Sequence, residues 1–191
     1  MIATAGKPKT PGKRLDSRLM FYHPTNSGGG AAMRLELRFN RPGEDRYDCF
    51  FLELAAQQKQ NAPPADGGVV HASFDWQNKL TVKLGFTDIC EMLMVLEGKY
   101  EKVGGGRNGL FHRNGTTSTI INMQKSEKGG IFLGLSQKPD GQGEPRRIQM
   151  VLNDAESTGL RCVFQTGLFF LAFRNTCLGM VPAISPTTNE T

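Results

Sequence analysis

The residues of this chain whose types and spacing could do chemistry are cations and aromatic rings at alternate positions of extended segments. In 31–39, Met33, Leu35, Leu37 and Phe39 alternate with Arg34, Glu36 and Arg38. In 47–57, Phe50, Leu52 and Leu54 form the inward set, which leaves Phe51 outward beside Glu53. Lys79 and Lys83 alternate with Leu80, Val82 and Leu84; Phe132 stands between Ile131 and Leu133, and Arg147 beside Ile148. Cations neutralise phosphates, and exposed rings stack on unpaired bases. Arg34, Arg38, Phe51, Lys79, Lys83, Phe132 and Arg147 are therefore candidate contacts to nucleic acid. Trp76 joins them, although a lone tryptophan is more often a core residue than a stacking platform. Unpaired bases offer faces that duplexes hide, so the mixture favours single strands. The alternative is that Phe51 and Phe132 face helices or a second sheet, and periodicity alone does not choose.

Catalytic chemistry has no comparable handle. His23, His71 and His112 are each isolated from any nearby nucleophile, and the chain has no G-K-[ST] and no G-x-S-x-G. Gly104-x-Gly106-x-x-Gly109 follows a helical pattern and precedes an extended one, the reverse of the order a dinucleotide site requires. Cys49, Cys90, Cys162 and Cys177 are scattered, without a C-x-x-C pair or a histidine at zinc spacing. The expectation is a protein without catalytic residues, metal or cofactor. Asn114-Gly115-Thr116 reads as a hairpin turn rather than a glycosylation site.

The elements that must hold the outward residues fall into a repeated order. Lys79 to Leu84 alternates as a strand and runs through Gly85-Phe86 into an amphipathic helix carrying Ile89, Leu93 and Leu96, which stops at Gly98. Thr87 or Asp88 is its expected cap, with Glu91 closing the box from Asp88. The same order returns when the strand 146–152 leads through Asn153 and Glu156 into a helix with Leu160, Val163, Phe164, Leu168 and Leu171 on one stripe. Before the first helix, strands are expected at 31–39, 47–57, 71–76 and 79–84, with order beginning at 19–22. Before the second they are expected at 109–114, 117–124, 130–137 and 146–152. A ββββα unit given twice points to internal duplication and to an α+β fold with antiparallel sheets. Residues 99–108, with three consecutive glycines, are expected to be mobile.

Length and charge bound the rest. With 191 residues and 38% hydrophobic content the chain can bury one core. The expected divisions are a disordered basic arm at 1–18, one domain at 19–173 and a disordered tail at 174–191. No run of eighteen apolar residues exists to span a membrane, and no signal-peptide core opens the chain. The expected location is cytoplasmic or nucleoid-associated, with an organellar presequence left open by the basic residues at the start. The formal charge of +5 is concentrated, since Lys7, Lys9, Lys13, Arg14 and Arg18 against Asp16 supply +4 of it and leave +1 for the remainder. Any basic surface of the domain must therefore arise by segregation of charge. Residues 167–173 (GLFFLAF) are apolar all round, which predicts an oligomer.

The chain resembles the Whirly family of single-stranded-DNA-binding proteins. Phe74-Asp75-Trp76-Gln77-Asn78-Lys79 is similar to the family's aromatic-D-W-S-R-K strand, Leu110-Phe111-His112 resembles its F-F-H, and the Leu84 to Leu93 strand-to-helix join fits as well. The family's K-G-K-A-A-L appears as Gly28-Gly29-Gly30-Ala31-Ala32-Met33, with both lysines absent, and its Ser and Arg are Gln77 and Asn78. The resemblance implies two antiparallel four-stranded sheets set like blades, with helices that build a tetramer. It also implies single-stranded DNA lying along the sheets, bound with little sequence preference in DNA maintenance or transcription. A preference for DNA over RNA comes from the resemblance alone. An RNA-binding or annealing factor and an oligomeric protein scaffold are the alternatives.

Overall fold

The computed structural model describes residues 18–39, 48–58, 71–127, 129–141 and 143–178. In chain order the elements are β1 (Arg18–His23), β2 (Ala31–Arg38), β3 (Cys49–Ala56), β4 (Leu80–Leu84), α1 (Phe86–Leu96), β5 (Leu110–Asn114), β6 (Thr117–Lys125), β7 (Ile131–Pro139), β8 (Arg146–Leu152) and α2 (Asp154–Leu178). The strands make two four-stranded antiparallel meanders, β1-β2-β3-β4 and β5-β6-β7-β8, each followed by its helix. The fold is α+β, with the ββββα unit used twice.

Alternation sets the register. In the first sheet Leu19, Leu35, Leu52 and Val82 lie opposite one another across all four strands. In the second, Leu110, Ile121, Leu135 and Ile148 make the equivalent row. A slip of one residue would turn either row to solvent, so burial fixes the pairing. Both inward faces, with Ile89 and Met92 of α1 and Leu160 and Phe164 of α2, enter one continuous core. Phe50 and Phe164 meet edge to face at 5.7 Å. Just beyond, α2 passes so close to β3 that a Cβ on Gly167 would fall 2.4 Å from the Phe50 ring. Between β5 and β6 the loop places Gly115 at φ 56°, the left-handed start that a two-residue hairpin needs.

Several boundaries differ from the sequence reading, each for a local reason. The fourth strand of the first sheet is β1, because Leu19 and Phe21 pack on the core. Residues 71–76, expected as a strand, contribute only a single bridge from Phe74 to Gln57. Helix α1 begins after Gly85, whose N–H donates to Asp88 Oδ2 at 2.8 Å, so Asp88 closes the cap from inside the helix. Glu91, expected in that box, instead accepts from the Gly104 N–H at 2.9 Å. That bond and the burial of Val103 (1% exposed) anchor the glycine-rich loop that was expected to be mobile. At α2 the expected box is present: Glu156 N–H donates to Asn153 Oδ1 and Asn153 N–H to Glu156 Oε2, both at 2.9 Å. Phe39, expected inward, lies past the end of β2 at 45% exposure and meets Phe170 edge-on at 6.2 Å. Helix α2 continues to Leu178, beyond the expected end at 173. Of the expected arm (1–18), Arg18 belongs to β1 and the rest lies outside the described residues, as do residues 179–191 of the expected tail (174–191).

Candidate nucleic-acid interface

The outward face of the first sheet follows from the same registers, one residue out of step with the core rows. One outward row is Arg18, Glu36, Phe51 and Lys83; the next is Met20, Arg34, Glu53 and Thr81. Arg34 and Arg38 stand four apart on β2, on the same face, and each covers an aromatic ring. The Arg38 guanidinium lies 4.5 Å above Phe51, and that of Arg34 lies 5.0 Å from Trp76. Such cation–π stacks hold a planar cation flat against a flat ring.

Trp76 reaches Arg34 from a turn rather than a strand. Asp75 accepts the Asn78 backbone N–H at 3.1 Å and its side-chain N–H at 2.9 Å, which closes the turn. Those bonds from Asn78 hold the Asp75 carboxyl below the usual carboxylate range. Lys79 follows the turn and reaches Glu53 Oε1 at 2.7 Å, while Arg34 pairs with the other oxygen of the same carboxylate. Glu53 thus ties β2, β3 and the Trp76 turn together.

On the second sheet Phe111, Ile120, Ser136 and Arg147 form one outward row, and Gln124, Phe132 and Val151 another. The Phe132 ring lies across Gly134, 3.3 Å from where a Cβ would stand. Phe111 is 63% exposed. The structure therefore brings Arg34, Arg38, Phe51, Trp76, Lys79 and Lys83 onto one outward surface, and places Phe132 and Arg147 on the other sheet. Phe51 and Phe132 are both half-buried, Phe51 beneath Arg38 and Phe132 across Gly134.

The two sheets meet where β4 approaches β7, and Gln137 spans the junction. Its side-chain amide donates to Thr119 Oγ1 at 3.1 Å and to the Thr81 carbonyl at 3.4 Å. Beside this junction lies a groove of about 830 Å³, lined among others by Phe51, Lys79, Lys83, Asp88, His112 and Arg113. Lys79 is paired to Glu53, and Arg113 to Asp140. Lys83 has no carboxylate within ion-pair distance among the described residues. The same holds for Arg147 and Lys138. Cations left without a protein partner are the ones with most to gain from a phosphate. Phe111, His112 and Arg113 were not among the expected contacts. The sequence carried a signal for them in Leu110-Phe111-His112 beside the Asn114-Gly115 turn, which sets β5 against the groove.

The described residues hold no cluster of three His, Cys, Asp or Glu side chains able to take a metal. Burial pushes the Cys49 and Cys90 thiols up, away from the thiolate a nucleophile requires. No helix of the described chain is long and apolar enough to cross a membrane.

No protein-family model and no curated protein matches the chain. Solved structures do. WHY1 from Arabidopsis thaliana superposes with a TM-score of 0.64 at 19% identity, over 87% of this chain and 93% of that one. The fold is that of the Whirly proteins. A second Whirly-like neighbour, the plant transcriptional regulator PBF-2, has a TM-score of 0.62 at 18% identity, over 92% of each chain. A guide-RNA-binding protein complex bound to a guide RNA matches at 0.53 and 17% identity, over 87% of this chain and 96% of that one. At these identities the Whirly likeness speaks for the fold, and the site rests on this chain's own residues.

Proposed function

We propose that this protein is a non-enzymatic binder of single-stranded nucleic acid, DNA foremost, with little sequence preference, acting in DNA maintenance or transcription. The observation that carries the reading is the union of Phe51, stacked under Arg38, with Lys83, which has no carboxylate partner among the described residues, in the lining of the inter-sheet groove. A ring beside a free cation offers a stacking platform and a phosphate contact within one nucleotide's reach. Contacts to ring faces and phosphate oxygens carry little base identity, which fits weak sequence dependence. RNA is the second reading, supported by the fold shared with a complex bound to guide RNA.

We place the working form as an oligomer, a tetramer by the family resemblance. Phe169 and Phe173 of α2 are 55% and 54% exposed, and Phe169 packs against both Phe170 and Phe173. Such a cluster is costly to leave in water. Light scattering would test this, with Phe169→Glu expected to reduce the mass to that of the single chain. For location, the reading keeps the cytoplasm or nucleoid.

The deciding experiment is fluorescence anisotropy with labelled oligo-dT, a duplex and a matched RNA at two salt concentrations. Binding to oligo-dT that weakens steeply with salt, with the duplex far weaker, supports the reading. Binding that ignores salt would overturn it in favour of a hydrophobic protein scaffold.

A further inference from the structure

Two histidines in this molecule make the same unusual contact, and each makes it across the duplication. His112, in the first strand of the second sheet, places Nε2 3.1 Å from Oδ1 of Asp88, the third residue of α1 in the first half. His23, in the first strand of the first sheet, places Nε2 2.8 Å from Oε1 of Glu156, the third residue of α2 in the second half. Each carboxylate also accepts the backbone N–H at its helix start, from Gly85 and Asn153 respectively. The pairs are crossed counterparts, but their surroundings differ. The Asp88–His112 pair lines the inter-sheet groove, whereas neither His23 nor Glu156 does.

We propose that His112 is a proton-linked contact for the phosphodiester backbone in that groove, so that affinity for a single strand rises as pH falls. The inference rests on the nucleic-acid reading above. The charged groups that line the groove with His112 are Lys79 just before β4, Lys83 from β4, Asp88 from α1 and Arg113 on β5; the groove residues of β3, β6 and β7 bring none. With a neutral ring, three cations stand against one carboxylate. Of those cations Lys79 and Arg113 are committed to Glu53 and Asp140, so among the described residues of the groove Asp88 is set against the charge of Lys83. A proton on His112 pairs Asp88 off and leaves Lys83 unopposed. Imidazole is the side chain that ordinarily takes up such a proton between pH 5 and 8. Linkage fixes the sign, since a phosphate that prefers the protonated ring binds tightest below the titration and loses that increment as pH rises through it. Asp88, held by the Gly85 amide, is the fixed element of the switch.

The test is oligo-dT anisotropy from pH 5.5 to 8.5 at constant ionic strength, on the intact chain and on His112→Gln and His23→Gln. Glutamine keeps a donor for the carboxylate but cannot titrate. The intact chain is expected to bind about fivefold tighter at the acidic end. Its salt slope should be steeper there by about 0.7, the increment for one further phosphate neutralised on a single strand. His112→Gln should bind with both differences gone, and His23→Gln should retain them. A pH response unchanged in His112→Gln, or equally lost in His23→Gln, overturns the proposal and leaves nucleic-acid binding standing. No binding at any pH overturns both. The ring proton of His112, followed by NMR, gives a readout that does not depend on a variant folding. Its titration midpoint should move up when oligo-dT is added, and an unmoved midpoint counts against the contact.

Discussion

Lys79 Nζ lies 2.7 Å from Oε1 of Glu53, whose side chain is only 11% exposed. This contact separates two lysines that look equivalent in sequence. Lys79 is committed to an internal carboxylate that also holds Arg34, while Lys83, four residues on along the same face, has no such partner among the described residues. Lys83→Ala is expected to lower the salt slope of oligo-dT binding by about 0.7 with little change in stability. Lys79→Ala should leave the slope nearly intact and cost about 1 kcal/mol in folding, a charged hydrogen bond discounted for partial exposure. Urea melts beside binding titrations would show it. Equal slopes in the two variants would contradict the distinction.

Phe111 and Phe164 should separate binding from stability in the same way. Phe164 is fully buried against Phe50, so Phe164→Ala is expected to cost about 3–5 kcal/mol. Phe111 stands in solvent, and Phe111→Ala should barely move the melt. If a base stacks on it, affinity falls by about 1–3 kcal/mol. An unchanged affinity would remove Phe111 from the interface.

Gly167→Ala adds one methyl where α2 crosses β3. Its Cβ would meet ring carbons of Phe50 at 2.4 Å and 2.5 Å, so helix or ring must shift. Overpacking of this kind costs about 1–3 kcal/mol. A denaturant midpoint that falls at constant m-value is the expected result, and Gly159→Ala, which meets nothing within 4 Å, is the matched control.

The Trp76 turn carries an acid dependence. Because Asn78 holds the Asp75 carboxyl low, the stabilisation is present above the ordinary aspartate value of about 3.9. It is lost as pH falls through the lower folded value. Carboxyl-carbon NMR should find Asp75 titrating below that ordinary value in the intact protein and returning toward it in Asn78→Ala. An ordinary midpoint in the intact protein would mean that the turn does not hold in solution.

Much of this molecule was legible because alternation and capping are local. The inward rows of β2, β3, β4, β7 and β8 and the Asn153–Glu156 cap follow from neighbours within a few residues. β1 was harder, since Met20 and Tyr22 face outward and erase the contrast with Leu19 and Phe21. Residues 71–76 erred the other way, because Phe74 and Trp76 alternate with polar neighbours while Asp75 and Asn78 close a turn. The α1 cap was read two or three residues late, at Thr87 or Asp88, because Gly85 has no side chain to announce it, and Asp88 marks the box from its far end. In the site, residue types sufficed to find the cations and rings. What they could not show is which cations are already paired, since Glu53 meets Arg34 from the adjacent strand and Lys79 from far along the sequence. Nor could they show that β5 would bring His112 and Arg113 to the groove.

The crossed histidine contacts have a consequence for how the chain is made. Glu156 is 133 residues from His23, so at a translation rate of about 5–20 residues per second the N-terminal half waits several seconds or more for its partner. Throughout that interval Met33, Leu35 and Leu52 have no opposing sheet, since the core they enter is completed by β8 and α2. Folding of this protein is therefore expected to close only as the last helix leaves the ribosome, and a nascent chain stalled after α1 should be a client for chaperones that shield apolar surface.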